Sequence, residues 1–382
     1  MVERWVRIGA AGRPAWLVLM AAALSACTVS HRMEPIDSGT TAVCEARHAG
    51  EGREVRWFGP EREGDRNALE AWCLAVGPVE VRSLPDAHDP STGEGFGLTV
   101  VTWNVHVGGG DLPGFLGSEL GYNCRAEGPP PSAGHFVLLL QEAHRASAAV
   151  PAPPPGAIVS ERIAENPPVG PRFDIGEVAE RCGLALFYVP SMRNGEESGE
   201  DVGEDRGSAI LSSLPLSELA AIEVPLEAQR RVAVVASVPG PDGSALRLVN
   251  VHYDVASNIL RVLATGGSMR VRQNDGLTEA LDVMDPERAA PVVVAGDLNT
   301  WSSEETVIQR MLQVYPDSPD PGREKTRGDW PPDHLFFRAG SGPFGLVDGS
   351  YRVVADEYGS DHRARLVIVA PRDSAEATDG VE

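Results

Sequence analysis

Polar side chains lie at the ends of six apolar runs in this sequence, and carboxylates and imidazoles of this kind can bind a metal ion or move protons. The run PVVVAGDLNT, residues 291–300, ends in Asp297 and Asn299. Residues two apart lie on one face of an extended strand. Similar positions are held by Asn104 and His106, Glu142, His252 and Asp254, Asp333 and His334, and Asp361 and His362. One such pair is more often a cap or a spacer, but six predict a convergent polar site.

These polar residues lie on apolar runs that alternate with helical stretches and Gly/Pro-rich loops from Leu98 onward. We predict nine short strands, several of them apolar enough to be buried on both faces. Helices are predicted at Ile175 to Cys182, Met269 to Met284 and Glu304 to Val314. This order predicts packed sheets flanked by helices, with the polar site at one end of a sandwich.

The composition is that of a globular protein with an acidic surface. The 382 residues are 42% hydrophobic and 23% charged, and the formal net charge is −22. This charge is unlike the basic footprint of a protein that grips nucleic acid through many phosphate contacts. A local basic patch stays compatible with it.

The first 26 residues have the order of a bacterial export signal. Arginines precede a short apolar stretch, residues 15–23, that is too short to span a bilayer. The following LSAC, residues 24–27, resembles a lipobox, in which Cys27 becomes the lipidated first residue. An ordinary cleaved signal peptide is the alternative. We therefore expect an exported lipoprotein, anchored to the outer membrane or cell surface through a lipid on Cys27.

Cysteine usage agrees with export. Beside Cys27 the chain has four cysteines, an even number that suits an oxidising compartment. We favour the pairs Cys44–Cys73 and Cys124–Cys182, because each would hold one region together, although the sequence alone allows three connectivities. A zinc site is disfavoured, because no two cysteines have the close spacing of zinc ligands.

The ordered set of motifs resembles the endonuclease/exonuclease/phosphatase superfamily, whose members resemble DNase I. In chain order the set is Asn104, Gln141-Glu142, Asn250-Val251-His252, Gly296-Asp297-Leu298-Asn299, Asp333-His334 and Ser360-Asp361-His362. The stretch GSAILSSLPL, residues 207–216, is similar to the family's G-N-A-I-L-S segment, with Ser208 where Asn is usual. The resemblance covers Leu98 to Val369.

The resemblance implies an α/β (α+β) fold, a four-layered sandwich of two mixed β-sheets flanked by helices. It also implies hydrolysis of phosphodiester or phosphomonoester bonds by an activated water with a divalent metal, Mg²⁺ or alternatively Mn²⁺. A hard cation neutralises the phosphate oxygens that repel a nucleophile, and Mg²⁺ needs only one or two protein carboxylates. As in relatives, Glu142 is the expected metal ligand, with Asn104 and Asp361 near the metal.

Catalytic roles implied by the resemblance fall on five residues. Asp297 is expected to orient or deprotonate the attacking water, and Asn299 to hold that water or a phosphate oxygen. His362 is expected to donate to the phosphate or act as base or acid, with its tautomer fixed by Asp333. His252 is expected to hydrogen-bond a phosphate oxygen or help the leaving group.

For several neighbouring residues, the sequence is compatible with a structural role as well as with a functional role. His106 holds a position where relatives differ, so its role stays open. His334 is expected to point away from Asp333 and to be structural, and Asp254 either serves the site or caps a loop. Arg230 and Arg231 are adjacent on a strand and face opposite ways, so at most one is expected to reach the substrate.

The substrate stays open among nucleic acid, phospholipid and sugar phosphate. Arg261, Arg270 and Arg272 are the best candidates for contact with an anion, although they equally suit the solvated face of a helix. A surface nuclease acting on DNA or RNA is one alternative function. A non-catalytic surface binding protein of the same fold is another, but the expected polar set has no gap. We expect a monomer.

These features divide the chain into five segments. Residues 1–26 form the signal peptide and residues 27–43 a polar tether. Residues 44–97 are expected to form a small N-terminal appendage with one helix, capped by Asp65 and ended by Gly77. Residues 98–372 form the catalytic domain, and residues 373–382 a disordered tail.

Overall fold

The computed structural model describes residues 32–36, 47–48, 54–84, 96–124, 134–160, 167–194, 203–255, 268–321 and 324–372. The helices in these ranges are α1 (Glu63–Cys73), α2 (Leu112–Leu120), α3 (Ile175–Cys182), α4 (Ser268–Met284) and α5 (Thr306–Val314). The strands are β1 (Met33–Pro35), β2 (Arg56–Pro60), β3 (Glu80–Arg82), β4 (Leu98–Asn104), β5 (His135–Ala146), β6 (Ala185–Arg193), β7 (Glu204–Ser212), β8 (Ser217–Glu223), β9 (Val232–Pro239), β10 (Ala245–His252), β11 (Val292–Asp297), β12 (Asp333–Arg338), β13 (Phe344–Leu346), β14 (Arg352–Val353) and β15 (Arg365–Pro371).

Two mixed β-sheets contain these strands. The first sheet has the order β1-β2-β8-β9-β10-β11-β12, and the second has the order β13-β15-β4-β5-β7-β6-β3, with β14 paired to β15. Helices α2 and α3 pack on the outer face of the second sheet, and α4 and α5 pack on the outer face of the first. The four-layered sandwich expected from the sequence is confirmed.

Strand β11 shows why its run is apolar at every position. Val293 and Ala295 face the core between the two sheets, whereas Val292 and Val294 face the core under helices α4 and α5. Both faces of the strand are therefore covered, and no position along it needs a polar side chain until the strand ends at Asp297. The polar residues begin where the coverage by both layers ends.

The N-terminal segment belongs to the sandwich rather than forming a separate appendage. Strand β2 pairs in parallel with β8 in the first sheet, and β3 pairs with β6 at the edge of the second. Helix α1 connects them and begins at Glu63, so Asp65 lies in its first turn and not at its cap. Strands β2 and β3 thereby join the segment to both sheets through partners more than 100 residues further along the chain.

Cys124 and Cys182 are joined by a disulfide that links the chain beyond α2 to the end of α3. Cys73 is also disulfide-bonded, while Cys44, its expected partner, lies outside the described residues. The signal peptide, Cys27, most of the tether, Arg261 and the tail beyond residue 372 lie outside them as well. The expectation that residues 27–43 form a tether is wrong for residues 33–35, which form strand β1 and pair with β2. No helix within the described ranges is long and apolar enough to cross a bilayer.

Candidate active site

Three neighbouring strands of the first sheet place three of the expected catalytic residues side by side. Strands β10 and β11 are parallel, and their register pairs His252 with Asp297. Strand β12 runs antiparallel to β11, and its register pairs Asp297 with Asp333. These residues therefore meet at one edge of the sheet, although 81 positions separate the first from the last in the sequence (333 minus 252).

The second sheet presents its polar residues at the same end. Strands β4 and β5 are parallel, with Asn104 opposite Gln141. The register of β5 shifts between Leu140 and Ala143, and Glu142 within this irregularity has a positive φ of 54°. A bulge of this kind re-aims a side chain out of the strand's normal alternation. The carboxylate of Glu142 thereby reaches the pocket.

Hydrogen bonds between the sheets fix the ends of the strands against each other. Asn104 Nδ2 donates to Asp297 Oδ2 at 2.9 Å, and Gln141 Nε2 donates to Asn250 Oδ1 at 2.7 Å. Asn250 Nδ2 in turn donates to the backbone oxygens of two strands of the second sheet. Because these buried groups find hydrogen-bond partners only when the two sheets are correctly aligned, the bonds favour one alignment of the sheets. Gln141 and Asn250 therefore position the site without lining it.

A pocket of about 150 Å³ opens at this end of the sandwich. Its lining consists of Asn104, His106, Val107, Glu142, Arg206, Gln229, Arg231, His252, Val255, Asp297, Asn299, Arg327, Asp361 and His362. All but one of the eight residues expected to bind the metal or act in catalysis belong to this lining, and Asp333 lies behind His362. The convergence predicted from the strand ends is present.

Asp333 and His362 form a buried carboxylate–imidazole pair. His362 Nδ1 lies 2.8 Å from Asp333 Oδ2, so the other nitrogen, Nε2, points toward the pocket. Burial opposes the charged imidazolium, but the negative charges of Asp333, Asp297 and Asp361 raise the pKa of His362 to about 9. The pair is therefore arranged to hold a cationic imidazole that donates through Nε2.

Asp297 is the central carboxylate of the pocket. Its Oδ2 accepts from Asn104 Nδ2 and lies 3.8 Å from His362 Nε2, while its Oδ1 accepts from the backbone N–H of Asn299 at 2.7 Å. Burial, reinforced by the charge of Asp333, raises the pKa of Asp297 to about 6. A carboxylate with this pKa is a stronger base than an exposed one and suits the removal of a proton from water.

His252 is held in one tautomer by an arginine. Arg231 Nη1 lies 3.0 Å from His252 Nδ1, and a guanidinium can only donate, so Nδ1 accepts and the ring hydrogen resides on Nε2. Arg231 is itself held by Asp254, whose Oδ1 accepts from Arg231 Nε at 3.1 Å. Burial and the charge of Arg231 hold the pKa of His252 well below its usual value. His252 is therefore a neutral donor whose Nε2 lies 3.6 Å from Asp297 Oδ2.

The sequence from residue 101 to 362 matches the Endonuclease/Exonuclease/phosphatase family. This span is more than half of the chain and includes every residue of the pocket. The chain belongs to the endonuclease/exonuclease/phosphatase family. Members of this family hydrolyse phosphodiester or other phosphate-ester bonds.

Solved structures with a similar fold include an endonuclease/exonuclease/phosphatase from Beutenbergia cavernae, with 17% identity and a TM-score of 0.48 over 73% of this chain and 72% of that chain. The human Nocturnin catalytic domain has 14% identity and a TM-score of 0.45 over 72% of this chain and 94% of that chain. A family protein from Leptotrichia buccalis has 12% identity and a TM-score of 0.44 over 72% and 99%. No curated protein matches the sequence.

The donor set of the pocket fits the divalent cation that members of the endonuclease/exonuclease/phosphatase family generally use. The Glu142 side chain is 22% exposed, and its nearest ionic contact in the described part of the chain is His252 Nε2 at 4.0 Å. The ligand atoms of Asp297, Asp333 and His362 also lie within 4.8 Å of one another. His362 Nδ1 is already bonded to Asp333, however, so the carboxylate of Glu142 is the more suitable oxygen donor for a hard cation.

Three residues whose roles the sequence left open have definite surroundings in the structure. His106 lines the pocket, with Nδ1 3.8 Å from Asp361 Oδ1. His334 faces away from it, as expected, and its Nε2 lies 2.8 Å from Thr300 Oγ1. Burial lowers the pKa of His334 to about 3, which keeps the ring neutral. Asp254 holds Arg231 and also accepts from two backbone N–H groups that precede β9.

The cations of the pocket are not the arginines favoured from the sequence around helix α4. Arg270 is buried and donates to Glu305, and Arg272 donates to Glu227. Three other arginines line the pocket: Arg206, Arg231 and Arg327. The sequence predicts a substrate contact from at most one of Arg230 and Arg231, which precede β9, and gives no signal for Arg206 or Arg327. The adjacent Arg230 forms a buried bidentate pair with Glu223 on the opposite face.

Arg327 lies in a turn with no sequence signal of its own. It donates from Nη2 to Asp361 Oδ2 at 2.5 Å, across the pocket mouth. The turn is closed by the backbone N–H of Trp330, which donates to the backbone oxygen of Arg327 at 2.9 Å. Its position six residues before Asp333 was the one hint in the sequence, because the contact with Asp361 depends on tertiary structure.

Proposed function

We propose that this chain hydrolyses phosphate esters with a divalent cation, Mg²⁺ or Mn²⁺, by attack of an activated water. The observation that carries the proposal is the pocket itself, where a basic Asp297, a cationic His362 and a neutral donor His252 face one small space. Their nearest atoms lie within 4 Å, with Asp297 Oδ2 3.6 Å from His252 Nε2 and 3.8 Å from His362 Nε2. A phosphate bound between them meets a base on one side and donors on the other.

Glu142, Asn104 and Asp361 are the residues that would hold the cation. When bound, a divalent cation neutralises charge on the phosphate and lowers the pKa of a coordinated water. Asn104 Oδ1 accepts from the backbone N–H of His106 at 3.0 Å, which fixes the orientation of the amide. Asp361 is oriented by Arg327. These contacts preorganise the oxygen donors on strands and short loops.

The protein residues perform the proton transfers. Asp297 takes a proton from the attacking water, and Asn299 is held near by the hydrogen bond from its side chain to the oxygen of Tyr253, at 2.7 Å. His362 donates from Nε2 to a phosphate oxygen, and Asp333 keeps the imidazole cationic and correctly turned. His252 donates to the phosphate or to the leaving oxygen. Arginines 206, 231 and 327 supply positive charge where negative charge develops.

The test is release of p-nitrophenol from bis-p-nitrophenyl phosphate with Mg²⁺ or Mn²⁺, with and without EDTA. We expect activity that EDTA abolishes and that the metal restores. Asp297→Asn is expected to lower kcat by about 100-fold or more, since a general base contributes about 10²–10⁴-fold. The matched control is Asp348→Asn, the same chemical change on an exposed loop residue. Undiminished activity in EDTA, or in a folded Asp297→Asn variant, would contradict the proposal.

A further inference from the structure

Strand β5 carries an extra residue at the bulge that aims Glu142 into the pocket. Gln141 and Glu142 stand opposite a single residue of β7, Ser208, and regular pairing of the two strands resumes beyond them. A slip of one residue there would turn every following side chain to the other face of the sheet. The position of the Glu142 carboxylate therefore depends on what holds β5 against β7 beyond the bulge.

A buried ion pair joins the two strands at this point. Arg145 and Asp205 are opposite each other in the register, and Arg145 donates from Nε and Nη2 to the two carboxylate oxygens of Asp205, at 3.1 and 2.6 Å. The side chains are 4% and 0% exposed. The next residue of β7, Arg206, faces the opposite way and lines the pocket. A slip of one residue would place Arg145 and Asp205 on opposite faces, so their attraction favours the register that places Glu142.

The segment before β3 completes the hydrogen bonds of this pair. The backbone N–H of Gly77 donates to Asp205 Oδ2 at 2.9 Å, and Arg145 Nη1 donates to the backbone oxygen of Pro78 at 2.7 Å. The hydroxyl of Tyr188 donates to Asp205 Oδ1 at 2.8 Å. Buried charges need such partners, because the cost of desolvation otherwise offsets their attraction. Residues 77 and 78 precede the span that matches the family, so this part of the contact lies outside that span.

The close approach of the N-terminal segment requires a glycine. A Cβ added at Gly77 would lie 2.6 Å from Arg145 Nη2 and 2.9 Å from the backbone oxygen of Ala149. The guanidinium of Arg145 could give way only by weakening its contact with Asp205. Gly77→Ala therefore disturbs the ion pair from a position that is not in the lining of the pocket.

We propose that Asp205 and Arg145 are positioning residues for the divalent cation, and that the N-terminal segment acts on the site through them. The pair, with its hydrogen bonds to Gly77 and Pro78, holds β5 and β7 in the register that presents the carboxylate of Glu142. The proposal rests on the proposed function, because that function assigns Glu142 to the cation. The lining of the pocket includes none of the four positioning groups, so they act through the position of Glu142 and not through contact with the substrate.

Calorimetric binding of Mn²⁺ to the metal-free protein tests the proposal without turnover. Asp205→Asn removes the charge and keeps the shape of the side chain, and we expect the affinity for Mn²⁺ to fall about tenfold or more. The matched control is Glu223→Gln, which makes the same chemical change in the buried bidentate pair with Arg230. Both variants should lower the thermal unfolding midpoint, but Glu223→Gln should leave the affinity for Mn²⁺ unchanged.

Gly77→Ala tests the same contact with a smaller change, and it decides the question if Asp205→Asn does not fold. We expect it to weaken Mn²⁺ binding as well. Its control is Gly64→Ala in helix α1 of the same segment, where no atom lies within 4 Å of the added Cβ. Unchanged affinity for Mn²⁺ in folded Gly77→Ala and Asp205→Asn proteins would overturn the proposal, and so would an equal loss of affinity in the two controls.

Amide hydrogen exchange separates this proposal from the proposed function. Residues 141–146 of β5 should exchange faster in Asp205→Asn than in Glu223→Gln, because only the first change releases the strand beyond the bulge. Equal exchange of this stretch in the two variants would contradict the positioning role. If the wild type bound no Mn²⁺, the metal-dependent function would fail instead, and the exchange rates would still decide whether Asp205 holds the bulge in place.

Discussion

His362 is held between carboxylates that favour its charged form, and Asp333 makes the closest contact, at 2.8 Å from Nδ1. Asp333→Asn replaces this charge with an isosteric neutral group, which lowers the pKa of His362 from about 9 and permits the wrong tautomer. We expect kcat to fall by about 10²–10⁴-fold with the fold retained. The limb of the pH–rate profile that reports loss of the His362 proton should move to lower pH.

The control for this variant is Asp329→Asn, which makes the same change at an exposed carboxylate of the preceding turn. Steady-state kinetics across pH and the thermal unfolding midpoint are the measurements. Near-wild-type kcat in a folded Asp333→Asn protein would remove Asp333 from the mechanism.

Arg230 and Arg231 provide a matched pair at adjacent positions. Arg231→Lys loses the donor to His252 Nδ1, so the ring of His252 is free to change tautomer, and we expect kcat/KM to fall about tenfold at nearly constant stability. Arg230→Lys loses the bidentate contact with Glu223, where both side chains are fully buried. There we expect a free energy of unfolding lower by about 1–3 kcal/mol with kcat/KM retained. If Arg231→Lys and Arg230→Lys changed kcat/KM equally and also changed the free energy of unfolding equally, Arg231 would act through stability alone.

At the scale of single residues, the sequence identified site residues where a polar side chain directly follows a buried apolar strand. Asp297 and Asn299 end a run that is buried on both faces, and such a position is visible in the sequence. Arg206 and Arg327 were not identified, because an arginine has the same local pattern in a surface ion pair as in a pocket. Arg270 shows the converse, since it looked like an anion contact and instead holds Glu305.

At the scale of elements, the site depends on the close approach of β10 and β11. A Cβ added at Gly296 would lie 1.8 Å from the oxygen of Val251, so any side chain there forces the two strands apart. Gly296→Ala is therefore expected to lower the free energy of unfolding by about 1–3 kcal/mol and to displace Asp297 from His252, with a loss of kcat. Denaturant unfolding and steady-state kinetics measure the two effects.

Gly117→Ala is the matched control, because no atom lies within 4 Å of the position of its Cβ in helix α2. Alanine is the better helix former, so this variant should gain about 0.5–1 kcal/mol. A Gly296→Ala protein as stable and active as the wild type would mean that the β10–β11 spacing does not set the geometry of the site.

The long apolar strands could be predicted from the sequence because both of their faces are buried. Strands β1, β2 and β3 could not, since segments of three to five residues carry too little periodicity to identify. Strands β2 and β3 pair with β8 and β6, which lie more than 100 residues further along the chain, and β1 pairs with β2. The expectation of an appendage failed for this reason.

At the scale of the whole molecule, charge is distributed unevenly. The chain carries a net charge of −22, yet three arginines line one small pocket beside the carboxylates of Glu142, Asp297 and Asp361. Net charge therefore describes the solubility of the protein and its behaviour toward large polyanions, but not the polarity of its site. Composition disfavours a broad basic groove and could not reveal the local cluster of arginines.

We further propose that the whole protein is attached to a membrane through a lipid on Cys27 alone. The LSAC sequence would supply the modification site, and the segment between Cys27 and strand β1 would connect the lipid to the first sheet. Cys27→Ser behind a conventional signal peptide should yield a soluble protein with wild-type kcat/KM, because Cys27 is far in sequence from every pocket residue. The unmodified signal with Cys27 retained is the control, and fractionation followed by detergent extraction is the measurement. Continued membrane association of the Cys27→Ser protein would show that another surface, such as the Pro-rich stretch of residues 151–171, binds lipid directly.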